Sequence, residues 1–503
     1  MSNEEEKERI QIGEVKKLEE LSPKDQIKLK VEQKEISLGQ AVIELCYLAE
    51  ELFVTPTCEV YATISIRDIM ENIRLEEELF KKWLRKEYLM LFKKPLNDQA
   101  LKTAINGVVA SVELESENIK EVYIRNAEKD GKFYIDLANN AREIIEVSQN
   151  GWKIVSQGEV PVKFYRPFSM KEMKKPVRNG NVNELKRFVN VEEDEWVLLV
   201  SYILAIYYGK GPFPIAVFQG LAGSGKTNHM RLLKKLTDPH VLEIASLPKD
   251  EESMIIRAQQ TLLLTYDNIS MISAECSDSL CKIATGAGLS TRELFTNGKE
   301  FSLSATRPIM LNGISSLVER ADLASRSIIF SLPNLSSKRK SERELWREFE
   351  EAIPRIFGGF LDVLCKTLND LPHTTLVSLP RMADFSLLSS AAEKHFGFSE
   401  GSFLKAFESN HKKIATDALE ENLIGLAIKN CLMEKGTIEG TATELLNILK
   451  TYVPVEDLKS GGWISSNRLK SAMERLKPTL EQNGIYYEYI RRNDVRLHKM
   501  YKL

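Results

Sequence analysis

The sequence predicts an α/β protein organised around a phosphate-binding loop, with an α+β domain before it and a winged helix after it. Three observations predict this. Residues Gly220-Leu221-Ala222-Gly223-Ser224-Gly225-Lys226-Thr227 fit the pattern GxxxxGK[ST] without a mismatch. The apolar run Pro214–Phe218 before them reads as a buried strand, and His229–Leu236 after them reads as a helix. Near the C-terminus, two helical patterns precede a strand pair that closes on Arg491-Arg492-Asn493-Asp494.

The loop composition follows from the charge of a triphosphate. Gly220, Gly223 and Gly225 leave the backbone free to wrap, so that N–H groups, Ser224 included, face inward. The following helix adds the positive end of its dipole. Lys226 is placed to reach the β- and γ-phosphates as a point charge. The Thr227 hydroxyl is expected to ligate Mg²⁺.

At 503 residues the chain needs two to four domains. Hydrophobic residues make up 43% and charged residues 28%, an ordinary soluble composition. No apolar run reaches the length of a membrane span, and the acidic N-terminus lacks a signal-peptide core, so no membrane partner and a cytoplasmic location are expected. Six scattered cysteines form no CxxC pair, which favours free thiols over a metal site or disulfides. With a net charge of −3, any nucleic-acid binding must come from local basic patches.

In chain order, residues 1–37 are dense in Glu and Lys and read as a charged flexible tail. Residues 38–157 carry helical patterns at 41–52, 77–91 and 99–111 and strand patterns at 60–64, 121–125, 132–137 and 151–155, an α+β domain without a catalytic constellation. Residues 158–193 read as a linker with six basic residues between Lys163 and Arg178, able to touch a phosphate backbone or simply solvated. Residues 194–335 form the nucleotide-binding core. There Thr261–Asn268 is an apolar strand ending in Asp267, the expected acidic Mg²⁺ partner some 40 residues after Lys226. The next position is Asn268, where a water-activating Glu is common. An amide orients water but takes no proton, which leaves Asp267, Glu275 or Asp278 as the candidate base. A hairpin closes on Thr296-Asn297-Gly298-Lys299, and the strand Pro308–Leu311 ends at Asn312, placed to bond a γ-phosphate or the attacking water. Residues 336–409 suit a helical lid, with helices expected at 338–349, at 354–368 and from Pro380. Residues 410–503 suit a winged helix, in which Lys470, Arg475, Arg491 and Arg492 are the candidate DNA contacts.

The order of these motifs resembles an AAA+ P-loop NTPase core. The hairpin placed before the Asn312 strand resembles the superfamily 3 and MCM-type helicase branch. Asp267-Asn268-Ile269-Ser270, Ala284-Thr285-Gly286, Arg307-Pro308 and Leu311-Asn312-Gly313-Ile314 resemble ATPases of prokaryotic mobile elements, the phage and plasmid proteins described as putative DNA primase/helicase. The resemblance covers residues 160 to 503 and extends more weakly over the N-terminal domain. It implies that Asn312 is sensor 1 and that Arg326 is an arginine finger acting in the neighbouring subunit, with Arg320 as fallback. It further implies that Lys299 grips DNA in a central pore and that Arg381 is a sensor 2 arginine. The alternative for Arg326 is a surface salt bridge with Asp322 four residues earlier. Without the resemblance, Lys299 reads equally as protection of a soluble sheet edge, and Arg381 reads equally as a capping or structural residue. The expectation is thus a hexameric, Mg²⁺-dependent ATPase translocating on single-stranded or forked DNA as a replicative helicase of a mobile element. The competing expectation is a nucleotide-switched initiator or loader with little turnover, and a third is a defence ATPase. No primase-type carboxylate cluster is apparent in residues 38–157.

Overall fold

In the computed structural model, described over residues 21–221, 223–286, 289–292, 300–303, 306–313, 317–318, 320–333, 341–454, 456, 458, 463–492 and 495–502, the chain forms two compact units. The first holds the residues up to Lys129 with Asn140–Arg142 and Ser156–Phe168; the second holds the rest.

In the first unit, helices α1 (Pro23–Glu32), α2 (Leu38–Cys46), α3 (Glu78–Phe92) and α4 (Asp98–Glu115) surround an antiparallel sheet of β1 (Glu51–Val54), β2 (Val60–Ile66) and β3 (Ile69–Arg74). Their apolar faces share one core that includes Ile27, Leu45, Ile64, Phe80 and Val108. The last part of the expected charged tail is therefore structured, from Pro23 on. Ser22 caps α1, Ile27 is buried, and Lys30 pairs with Glu44 at 3.1 Å. Ser37 and Gln40 form a capping box that starts α2. The expected strand at 121–125 is cut to β4 (Val122–Tyr123), followed by β5 (Asn126–Lys129).

The second unit begins with β6 (Lys132–Asp136), β7 (Glu143–Ser148) and β8 (Gly151–Ser156), with Phe133–Asp136 paired antiparallel to Ile144–Val147. In the first unit, β4 pairs parallel with β9 (Lys163–Phe164). A two-residue strand thus finds a partner forty residues away, which no local pattern announces.

The expected basic linker is not free, because most of its charges are used within the fold. Lys163 pairs with Glu51 at 2.6 Å, and Lys175 with Glu143 at 2.7 Å. Lys174 meets Glu350 at 3.8 Å, and the Arg178 guanidinium lies 4.6 Å from the Trp152 ring centroid.

Next comes α5 (Glu193–Tyr208), buried on nearly every side. It leads to β10 (Ile215–Gln219), the glycine loop and α6 (Lys226–Thr237). Then follow α7 (Glu251–Ala258), β11 (Leu264–Ile269), α8 (Ala274–Thr285) and the antiparallel pair β12 (Leu289–Arg292) and β13 (Glu300–Leu303). The tip of this hairpin, Lys299 included, lies outside the described residues. The core closes with β14 (Ile309–Gly313), α9 (Ala321–Ala324) and β15 (Ser327–Ser331).

Four of these strands form a parallel sheet in the order β11-β14-β10-β15. β14 is inserted between β10 and β11, so the glycine loop and Asp267 are separated by the strand that carries Asn312. Both faces are covered, which is why the strands read as apolar runs rather than alternating ones. Ala216, Phe218, Met310 and Phe330 face α5, α6 and the helices that follow β15. Ile215, Val217, Leu264, Tyr266 and Leu311 face α7 and α8.

The two lid helices expected at 338–349 and 354–368 are one helix, α10 (Glu342–Asp370), with Pro354 inside it. Carbonyl groups next to this proline are satisfied from outside the helix. The Val177 N–H donates to Pro354 O at 2.9 Å and the Asn181 N–H to Arg355 O at 3.1 Å. Gly358 makes this approach possible, since a Cβ there would lie 1.7 Å from Val177 O. Helices α11 (Ala383–Phe396) and α12 (Ser402–Glu421) follow. Asn410 of α12 caps the free edge of β15, accepting from Ile329 N at 3.0 Å and donating to Ile329 O at 2.7 Å. The C-terminal part comprises α13 (Leu423–Lys435), β16 (Thr437–Gly440), α14 (Ala442–Leu449), α15 (Ser466–Gln482), β17 (Ile485–Arg492) and β18 (Val495–Lys502). Its three strands form an antiparallel sheet in the order β16-β18-β17 over a separate core.

Candidate functional site

The candidate site lies at the C-terminal edge of the parallel sheet, where β10, β11 and β14 end together. Gly220 leaves β10 with φ 149, and a Cβ there would meet Leu332 O at 2.8 Å, so only glycine fits. Gly225, with φ 85, is the N-cap of α6. Lys226 and Thr227 therefore open the helix, and the free N–H groups of its first turn point into the loop.

Lys226 Nζ donates to Gly220 O at 2.7 Å and Leu221 O at 3.1 Å, spanning the loop. The Thr227 hydroxyl donates to Asp267 Oδ2 at 2.8 Å across 40 residues of sequence. Asp267 Oδ1 accepts the Asn268 N–H at 2.6 Å. That N–H also lies 3.3 Å from Asn312 Oδ1. Asn312 is 2% exposed, and its Nδ2 finds no acceptor among the described residues; the buried Ser224 Oγ is likewise without a partner. Both unpartnered groups lie at the end of the sheet where the glycine loop begins, with hydrogen-bonding capacity left over.

Asn268 has φ 55, and the register of β11 against β14 shifts between Tyr266 and Ile269. The backbone at the bulge is left-handed, a conformation that Asn tolerates better than Glu. This accounts for the residue type where a glutamate was the alternative. Of the other candidate bases, Asp278 is bonded to Arg320 at 2.8 Å, whereas Glu275 is exposed in the first turn of α8. Backbone and Ser273 hydrogen bonds hold the Glu275 carboxyl below its ordinary range.

The pair Thr227 and Asp267 offers two hard oxygen donors, which suits Mg²⁺ held by one carboxylate and the substrate phosphates. No cluster of three His, Cys, Asp or Glu residues occurs among the described residues. All six cysteines are free.

Arg326 stands away from this edge. It immediately precedes Ser327, which is paired with Ile215 at the start of β10, while Gln219 at the other end is paired with Ser331. It bonds the Asp322 carboxylate and the Asp322 carbonyl, the latter at 3.0 Å. Arg381 shares that carboxylate at 2.8 Å and bonds Ser325 Oγ at 2.7 Å. Two arginines thus converge on one aspartate. Burial alone would raise the Asp322 pKa, and the bond from Arg326 with the charges of both arginines holds it low.

The candidate DNA contacts are spread over the C-terminal part. Lys470 is exposed on α15, with Nζ 4.4 Å from the Tyr489 ring centroid and 3.7 Å from Glu474. Arg475, five positions on, faces a different side of the helix and lines a cavity of about 860 Å³ with Arg320 and Leu423. Exposed Arg468, which the sequence reading missed, shares the Arg475 face at a spacing of seven. Arg491 and Arg492 are exposed at the end of β17, and Arg492 pairs with Glu439 at 2.9 Å.

Residues 182–410 match the family model for the actinomycete integrative conjugative element replication protein. Residues 424–503 match the model for the C-terminal domain of the same RepA family. Both models describe RepA-type replication proteins, and these two regions of the chain are similar to them. The first region spans the whole parallel sheet and the site at its edge, and the second spans α13 to β18. No curated protein sequence matches. Among solved structures, one titled "SCCmec type IV Cch - active helicase" is similar at 12% identity and a TM-score of 0.46, over 90% of this chain and 92% of that one. The A-form apo structure of the NrS-1 C-terminal region is similar at 13% identity and a TM-score of 0.41, over 91% and 98%. Among the described residues, no helix is long and apolar enough to cross a membrane.

Proposed function

We propose that this RepA-type replication protein is a Mg²⁺-dependent ATPase with an AAA+ core, which forms a ring and moves along DNA as the helicase of a mobile element. One observation carries the reading. The glycine loop, Asp267 and orphaned Asn312 converge at one edge of a parallel sheet, with Thr227 and Asp267 2.8 Å apart.

The residues then divide the work. Gly220, Gly223, Ser224 and Gly225 cradle the phosphates. Lys226 leaves its two loop carbonyls to neutralise the β- and γ-oxygens. Thr227 and Asp267 hold Mg²⁺, which when bound offsets phosphate charge. Asn312 and Asn268 orient the attacking water, and Asp267 or Glu275 takes its proton. Arg326 and Arg381 lie at the far edge of their own sheet, which supports a role in the next subunit's site, where positive charge stabilises the transition state. In the C-terminal part, three helices with a three-stranded sheet support a winged helix, in which Lys470, Arg475, Arg491 and Arg492 meet DNA. Lys299 on the hairpin completes the proposed DNA path.

Asn268 favours a second reading, a nucleotide-switched initiator or loader that binds ATP and turns it over slowly. Steady-state ATPase with and without single-stranded DNA separates the two. The helicase reading expects DNA-stimulated turnover that Lys226→Ala abolishes. Tight ATP binding without stimulated turnover selects the switch, and absence of ATP binding rejects both.

A further inference from the structure

We propose that His229 is a positioning residue that aims the Lys226 N–H at the phosphates, an inference that rests on the nucleotide-site reading above. His229 lies one turn into α6 and is 4% exposed. Its backbone N–H donates to Gly225 O at 3.0 Å, and its Nδ1 lies 2.8 Å from the same oxygen. Its Nε2 accepts the Asn190 N–H at 2.7 Å. A ring nitrogen that accepts carries no proton, so these partners assign the proton to Nδ1, which donates to Gly225 O. Burial, which lowers the pKa of the ring, favours the same neutral form.

The grip matters because of the peptide it holds. In a trans peptide the C=O and N–H point in opposite directions. Fixing Gly225 O toward the helix therefore turns the Lys226 N–H outward, into the loop where phosphate binds. The other end of the ring is braced as well. The Asn190 side chain donates to Pro333 O at 3.1 Å, so the imidazole ties the loop to the segment before α5 and to the exit of β15. A histidine that merely filled space would need neither partner.

Two substitutions separate the ends of the strut. His229→Asn keeps an amide N–H near the Nδ1 position, and with it the donor to Gly225. His229→Gln extends an amide oxygen to where Nε2 stood, which keeps the acceptor for Asn190 and loses the hold on the loop. The experiment titrates the full chain with a fluorescent ATP analogue and Mg²⁺, measures KM and kcat, and records thermal melting without nucleotide. His229→Gln is expected to bind about tenfold more weakly, with KM raised and kcat little changed, as befits the loss of one aligned hydrogen-bond donor. His229→Asn is expected to stay within about threefold of wild type. Equal weakening in both variants, or losses that simply follow the melting temperatures, overturn the proposal. If the wild-type chain itself binds no ATP, the nucleotide-site reading falls and this inference with it.

Discussion

Lys226, Thr227, Asp267 and Asn312 come from three strand ends and meet at one edge, and each role can be tested singly. Lys226→Ala is expected to lower ATPase by about a hundredfold or more and to weaken ATP binding, read by steady-state kinetics and titration. Asn312→Ala should leave binding within a few-fold and cost turnover, since its orphaned Nδ2 is placed for the attacking water or γ-phosphate rather than for the ground-state contacts. Asn268→Val is expected to destabilise the chain by about 1–2 kcal/mol in urea unfolding, because a β-branched residue is forced into a left-handed backbone; Asn268→Gly should not. The loop and Asp267 were legible in the sequence because their chemistry is local, eight residues of motif and one strand end. The departure at Asn268 was visible as a residue type but not as a cause, since a bulge shows only in the register of paired strands. His229 was missed although it stands two residues past the motif. Its meaning depends on Asn190, 39 positions earlier, and a helical pattern cannot report such a contact.

Elements show the same division between local pattern and distant contact. The strands of the central sheet were legible as apolar runs, and β17 and β18 as a hairpin around Arg491–Asp494. The helix α10 was read as two because Pro354 normally breaks a helix. The structure carries it through the proline as one helix, and residues 177–181 pack against it there, donating to Pro354 O and Arg355 O over a glycine that admits them. Gly358→Ala is therefore expected to cost about 2 kcal/mol or more, measured as a shifted urea midpoint, since the added methyl collides with backbone rather than with a movable side chain. The same packing explains why residues 158–193 are not the solvated linker their composition suggested: the carboxylates that neutralise the lysines lie far off in sequence. On α15, Lys470 and Arg475 looked equivalent as charges, yet the helix turns them to different sides. Removing a side chain that neutralises a DNA phosphate should make the salt slope of binding shallower by about one. Measured by titration at several salt concentrations, Lys470→Ala and Arg475→Ala would show which side faces DNA.

At the scale of the whole molecule, the decisive feature is that the phosphate loop and the Arg326–Asp322–Arg381 cluster occupy opposite edges of one sheet. The sequence offered Arg326 two readings, a finger or a partner for Asp322. The ion pair is present, and so is a placement that keeps Arg326 away from the glycine loop of its own chain. On the proposed reading the two observations agree, with Asp322 holding the arginines ready for a neighbouring subunit. On the proposed reading, nucleotide at one edge and arginines at the other call for head-to-tail assembly, which gives a ring where the rotation between subunits closes. The most direct measurement of this claim is the DNA-stimulated ATPase of a 1:1 mixture of the Lys226→Ala and Arg326→Ala chains, each inactive alone. If the site is completed between subunits, random assembly gives about a quarter of the interfaces an intact loop and an intact arginine, and activity returns in that proportion. If the mixture stays as inactive as its components while wild-type chain assembles and hydrolyses ATP under the same conditions, Arg326 does not act in trans and the account is wrong.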